Sequence, residues 1–334
     1  MGNILSKEAR EDLLDWADSF RPNKLISVKK PVAKSIKIEA EHPLRCYWGL
    51  AQTARNRNVE QAIRDRAHQK LFSVRTRLEK WIMDSVLEAI KTDEIKTADL
   101  LDGRVFGSSL KQGVSFRLPL ASCQPSEKCA GGCYAHDGLD ASIASVIRGA
   151  LNGAFAQAFE RSEPVERKVQ LAEFWPFLKR AVVEAFRDCD RSVFPREPRV
   201  RMAHVGELSA FQTFANAIGS ALHELSQGKV KCVVYTRHGN AKLLDPDLFV
   251  INFSLDASSL KRRSWVPDKA RIVYSAWDGE VHQDASVNFL EHHYLQHESQ
   301  KGEGTVCPAT MPNITERTCD ALSCDFCFKK PNRD

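Results

Sequence analysis

The sequence predicts an α/β fold: a partial (β/α) barrel or an open, mostly parallel sheet, with a helical N-terminal extension and a cysteine-rich C-terminal tail. Three observations lead there. Short runs rich in β-branched and aromatic residues, Lys231–Arg237, Leu248–Leu255 and Ala270–Ala276, recur through the second half of the chain. Ahead of them, apolar residues repeat every three or four positions over long segments, the period of helices packed on one face. Strands separated by helices or crossovers favour a parallel sheet. From about Gly302 onward neither period is present, and four cysteines appear instead.

Taken in order, residues 1 to about 20 suggest an amphipathic helix. Ser6 caps it, Glu8 sits in its first turn, Leu13, Leu14, Trp16, Ala17 and Phe20 supply the apolar face, and Pro22 ends it. Arg21 to Lys37 holds six basic residues and no acidic one, a connecting segment able to touch phosphate. From Val59 to about Lys91, Leu71, Val74, Leu78, Ile82, Val86 and Ile90 form a helical stripe. Arg64, Arg66, Lys70, Arg75, Arg77 and Lys80 are assigned to the opposite, solvated face. Asp99 to Gly107 is a turn into the first core strand. Val114 to Leu120 is an apolar run that leads into a cysteine loop. Helices follow at about 139–161, rich in alanine, and at about 164–189. Arg199–Leu208 reads as a strand and about 209–227 as a helix, before the three strand runs named above. Three regions result: a helical, basic one at 1–104, an α/β core at 105–300, and a cysteine-rich tail at 301–334.

The chain of 334 residues carries a net charge of +5, which permits nucleic-acid contact without demanding it. No run of about 18 apolar residues suits a membrane helix. The charged N-terminus does not read as a secretory signal, so a cytoplasmic protein with no membrane partner is expected. In a reducing compartment, clustered cysteines are more often ligands than disulfides. Seven of the ten cysteines are clustered; Cys46, Cys189 and Cys232 stand alone and read as buried structural thiols.

The first cluster is Cys123, Cys129 and Cys133, spaced C-x5-C-x3-C on a strand-to-helix loop, with Gly131 and Gly132 to fold it and Pro125 to stiffen it. The second is Cys307, Cys319, Cys324 and Cys327, spaced C-x11-C-x4-C-x2-C. Four thiolates complete a coordination sphere for Zn²⁺ or a [4Fe–4S] cluster. Three leave one position open, which suits a catalytic cluster or a catalytic zinc. A third arrangement joins the trio to one tail cysteine. Function in parallel βαβ units gathers at the C-terminal ends of strands. The cysteine loop sits at such an end, together with His204, Glu207, Tyr235, Thr236, Arg237, Ser254 and Asp256.

The run Ser-Phe-Arg-Leu-Pro-Leu-Ala-Ser-Cys at 115–123, continued by Cys129, Cys133, Tyr134 and Ala135, resembles the gene-product-88-like proteins of phages and mobile elements. Val205-Gly206-Glu207, Tyr235-Thr236-Arg237, Phe253-Ser254-Leu255-Asp256 and Cys307-Pro308-Ala309-Thr310 agree with it. The resemblance covers about 105–328 and implies iron–sulfur binding. More remotely, the layout is similar to radical S-adenosylmethionine enzymes, which place a three-cysteine cluster after the first strand of a partial barrel and often an auxiliary cluster near the C-terminus. That similarity implies one or two [4Fe–4S] clusters, with Cys123, Cys129 and Cys133 at the first and the four tail cysteines at the second. It sets Gly206 and Glu207 near the cofactor's amino group, with Tyr235, Ser254 and Asp256 as further cofactor contacts and a reductant protein as partner. Those enzymes usually show C-x3-C-x2-C and Gly-Gly-Glu; this chain has the longer spacing and a single Gly206-Glu207.

Two functions follow. One is an iron–sulfur enzyme of radical or redox type, with Glu207 anchoring a cationic group and Arg237 and His204 contacting an anionic or polar substrate. The other is a non-enzymatic mobile-element protein with structural iron–sulfur or zinc sites that binds nucleic acid, through its basic N-terminal region, or a partner protein.

Overall fold

In the computed structural model the described residues are Glu11, Leu14, Asp15, 43–56, 58–109, 113–131, 133–136, 138–192, 196–277, 279–290, 305–307 and Cys327. The expected helix at 1–20, apart from three of its residues, and the basic segment 21–37 lie outside them. The helices are α1 (Pro43–Arg55), α2 (Gln61–Lys91), α3 (Glu127–Gly131), α4 (Ile143–Arg161), α5 (Pro164–Asp190) and α6 (Gln212–Ser226). The strands are β1 (Phe106–Ser109), β2 (Gly113–Phe116), β3 (Arg199–Met202), β4 (Lys231–Thr236), β5 (Phe249–Leu255), β6 (Arg271–Ala276) and β7 (Val287–Leu290). They form two units: one of 1–102, 118–122 and 129–158, the other of 103–117, 123–128 and 159–334.

In the first unit α1 packs on α2. The stripe Leu71, Val74, Leu78, Ile82 and Val86 of α2 is wholly buried, as its spacing predicts. Arg75 is a correction. It does not lie on the solvated face but is fully enclosed, ion-paired to Glu79 at 2.7 Å, the next turn of the same buried face. Its Nη1 donates to the carbonyls of Ala135 at 2.6 Å and Asp140 at 3.1 Å, and Glu79 accepts the N–H of Ala121 at 3.1 Å. A buried charge is tolerable when paired and hydrogen-bonded in this way. Helix α4 approaches the 118–122 segment closely at Gly153, where a Cβ would lie 2.6 Å from Cγ of Pro119. This helix begins at Ile143, later than expected, because 3₁₀ turns at Tyr134–His136 and Gly138–Ala141 precede it.

Among the described residues, the second unit holds a seven-stranded sheet whose spatial order is the chain order, β1 to β7. β1 pairs antiparallel with β2, and every later pair is parallel. The α/β, mostly parallel class is therefore as the sequence predicts. Strand β3 is shorter than the run 199–208, because Ala203 (φ 59°) and Gly206 (φ 83°) take left-handed backbone and break the extended chain. Phe116, Phe159, Phe174 and Phe214 form an aromatic core beside the sheet, with centroids 5.6–6.2 Å apart. At the other end, Phe253, Leu255, Tyr274, Ala276 and Leu290 bury one sheet face. The links from β4 to β5 and from β5 to β6 carry 3₁₀ turns, Gly239–Leu243 and Ala257–Trp265, rather than α-helices.

Candidate functional site

A polar cluster forms where the sequence expected one, at the C-terminal ends of β3, β4 and β5. Its hub is Arg237. Nη1 reaches Asp256 Oδ2 at 3.1 Å and Ser126 Oγ at 3.1 Å, and Nη2 reaches Ser254 Oγ at 3.0 Å. Ser126 also donates to Asp256. Asp256 is fully enclosed and opens the turn Ala257–Trp265, where Ser259 Oγ accepts its N–H at 2.9 Å and Ser258 donates to Oδ1 at 2.8 Å. Burial pushes the Asp256 carboxyl up, but the hydrogen bonds from Ser126 and Ser258 and the Arg237 charge outweigh it and hold the group below the usual carboxylate range.

Glu207 sits behind this cluster, 3% exposed. Its oxygens accept the backbone N–H of Ser209 and of Arg237, each at 3.3 Å. Burial raises its pKa, and hydrogen bonds from Thr236, Arg237 and Ser209 offset part of that. The carboxyl thus clamps the β3 and β4 ends to each other. The preceding Gly206 turns the chain at φ 83°, a conformation glycine adopts without strain. His204 closes the same end, its N–H bonded to the carbonyl of Phe116 at 2.8 Å. Tyr235 lies elsewhere: it faces into the sheet surface, with the Arg201 guanidinium 4.8 Å above its ring.

The cysteine loop is anchored from both of its ends. In the sheet unit, which contains Cys123, Arg262 bonds the carbonyls of Gln124 at 2.5 Å and Pro125 at 3.1 Å, and Gln124 accepts the N–H of Gly239 at 3.3 Å. In the helical unit, which contains Cys129 and Cys133, Arg55 and Arg75 hold the carbonyls of His136 and Ala135. Cys129 rides on α3, so the loop contains a helical turn that its glycines did not foretell, and Gly131 ends that turn without left-handed backbone. The Cys133 thiol is pushed up to about 12, first by burial and then by the neighbouring Cys129.

Of the tail, Cys307 and Cys327 are described; Cys319 and Cys324 lie outside the described residues. Cys307 is buried with Val273 and Val287, and Cys327 packs on the same patch with Phe289 and Tyr235. Cys307 is held by backbone pairing, its N–H bonded to the Asn288 carbonyl at 2.8 Å. The Cys327 carbonyl accepts from Asn252 Nδ2 at 2.9 Å. Among the described residues, no three of His, Cys, Asp and Glu are grouped to hold a metal ion. No described helix is long and apolar enough to cross a membrane.

Sequence reasoning missed Ser126, Gln124 and Arg262, the groups that tie the cysteine loop to the strand ends. It also missed Asn252, Arg201 and Arg271 on the sheet face. The alternation in Arg199-Val200-Arg201 was the available signal, since it sets two arginines on one side of a strand. Compared with known proteins, the chain matches no family model, no curated protein and no solved structure.

Proposed function

We propose that this chain is an iron–sulfur protein built on a partial (β/α) barrel. The observation that carries the reading is the convergence of Cys307 and Cys327, distant in sequence, on one patch of β6 and β7. The donor set fits a thiolate-held cluster. The patch is apolar and enclosed, and the positive guanidinium of Arg271 lies within electrostatic reach of Cys327. Cys319 and Cys324 complete the four-thiol spacing, and Cys123, Cys129 and Cys133 enter as a second set on their spacing alone. An aromatic contact across the sheet supports the barrel reading. The rings of Tyr235 on β4 and Phe289 on β7 meet at 6.3 Å across two intervening strands.

A bound cluster supplies one-electron exchange. The chain's own residues supply position: Arg237, fixed by Asp256, Ser126 and Ser254, presents a rigid cation at the strand ends, and Glu207 fixes the backbone behind it. This arrangement suits the enzymatic reading, with S-adenosylmethionine or another small polar cosubstrate held at the strand ends.

The test is anaerobic purification with iron, sulfide and zinc analysis and a visible spectrum. Iron and sulfide in equal amounts, lost in part by Cys307→Ser with Cys327→Ser, support the reading. Zinc without sulfide replaces it with a structural zinc site, and neither metal removes it. Calorimetry with S-adenosylmethionine on the iron-loaded protein then tests the enzymatic version, which absence of binding overturns.

A further inference from the structure

Helix α5 packs on α6, β2 and β3, and buries Gln170, Phe174, Leu178, Ala181, Val182 and Ala185. The far side of such a helix is ordinarily polar. Here Val165, Val169 and Val183 are 76%, 56% and 41% exposed. Ala172, Pro176 and Lys179, also exposed, fall between them. Along Val165, Val169, Ala172, Pro176, Lys179 and Val183 the steps alternate between four and three residues, the spacing of a seam that a second helix covers. At about 3.6 residues per turn the seam runs opposite the buried row.

The charges beside the seam say which helix fits. Glu166, Glu173, Arg180 and Arg187 follow one flank at seven-residue steps, acidic in the first half of α5 and basic in the second. A parallel copy would set them against the other flank, where Lys168, Trp175, Val182 and Cys189 offer a single charge. An antiparallel copy sets the flank against itself. Glu166 then meets Arg187 of the second copy, and Glu173 meets its Arg180. Both pairs centre on one point, between Pro176 and Phe177, so one two-fold axis makes each of them twice. In the same register Val169 faces Phe186 of the second copy, Ala172 faces its Val183, and Pro176 faces its Lys179. The lysine stem can lie along the seam while its ammonium stays in water. Within the chain, Arg187 pairs with Glu184 at 2.6 Å and Arg180 donates to the Gly103 carbonyl. Both contacts are at the surface, and a guanidinium with five donors can keep them while adding a carboxylate.

We propose that the outer face of α5 is the interface of a symmetric antiparallel dimer of this chain. Its apolar seam is covered by the same seam of the second copy, and its orientation is set by Glu166 with Arg187 and Glu173 with Arg180. The surface is separate from the cysteine patches and from the Arg237 cluster, and it requires no metal.

Sedimentation velocity of the full chain over a micromolar concentration range tests this. A dimer is expected at low salt, weakened by high salt. Glu166→Arg with Glu173→Arg makes the flank wholly basic, and Arg180→Glu with Arg187→Glu makes it wholly acidic. Each double variant is expected to self-associate at least tenfold more weakly, and an equal mixture of the two is expected to restore the dimer as a heterodimer. Should the acidic variant fail to fold, because Arg180 also holds Gly103, Val169→Glu with Val183→Glu is expected to give a monomer that melts as the parent does. A parent that stays monomeric at low salt overturns the proposal, as does a dimer that neither charge reversal nor the valine variants weaken. Two weakened variants that fail to pair with each other overturn the antiparallel register.

Discussion

Replacing Glu79 with alanine isolates one buried charge. Both side chains of the Arg75–Glu79 pair are fully enclosed, 2.7 Å apart. The substitution leaves a guanidinium surrounded by protein with its carboxylate gone, and removing one partner of such a pair costs about 3–5 kcal/mol. The N–H of Ala121 also loses its acceptor. That adds about 1 kcal/mol. At ~2–4 °C per kcal/mol for a chain of this size, the melting temperature should fall on the order of 10–20 °C. Thermal unfolding followed by circular dichroism measures it. Lys80→Ala is the control, since its pair with Asp84 is 70% and 52% exposed. Exposed pairs contribute roughly 0–1 kcal/mol. Because Arg75 also grips Ala135 and Asp140, faster amide exchange at 135–141 should accompany the loss. If Glu79→Ala and Lys80→Ala melt within about 2 °C of each other, the enclosed pair is not what holds this part of the fold.

Three further outcomes follow from the same geometry. Burial holds the imidazole of His136 well below its ordinary pKa, so the unfolded chain binds the extra proton. Stability should be intact above about pH 6.5 and fall by up to ~1.4 kcal/mol per pH unit below it, and His136→Phe should flatten that slope in a pH series of melts. Asp256, held low, stabilises the fold above the ordinary carboxyl range and ceases to do so as pH drops through its folded value; Asp256→Asn should lose less stability on acidification than the parent. A Cβ at Gly219 would meet Cζ of Phe249 at 2.6 Å, so Gly219→Ala should cost about 1–3 kcal/mol in a denaturant melt.

The strands β4, β5 and β6 were legible because each is a compact β-branched or aromatic run flanked by polar turns. Helices α2, α5 and α6 were legible through their apolar period. Strand β7 escaped because Val-Asn-Phe-Leu is only four residues and lies among polar loop residues, and β1 because Phe-Gly-Ser-Ser has little strand character of its own. Tertiary pairing makes both. Arg75 was misplaced by residue type. Its position, four residues after Leu71 and four before Glu79, already put it on the packed face, but its charge suggested the opposite. The strand-end group of Arg237, Ser254 and Asp256 was readable from register. Ser126 joins it only through folding of the cysteine loop, a contact no local pattern encodes.

The sheet grows in the same sequence as the chain, each strand lying beside its predecessor. During synthesis every new strand thus emerges to find its docking edge already laid down, and none must wait for a distant segment to arrive. Among the described residues the pairing beyond β7 is the bridge of Val306 to Asn288, which sets Cys307 beside the strand laid down before it. The backbone that carries Cys307 is therefore made only after all seven of these strands, and it docks on a sheet already assembled.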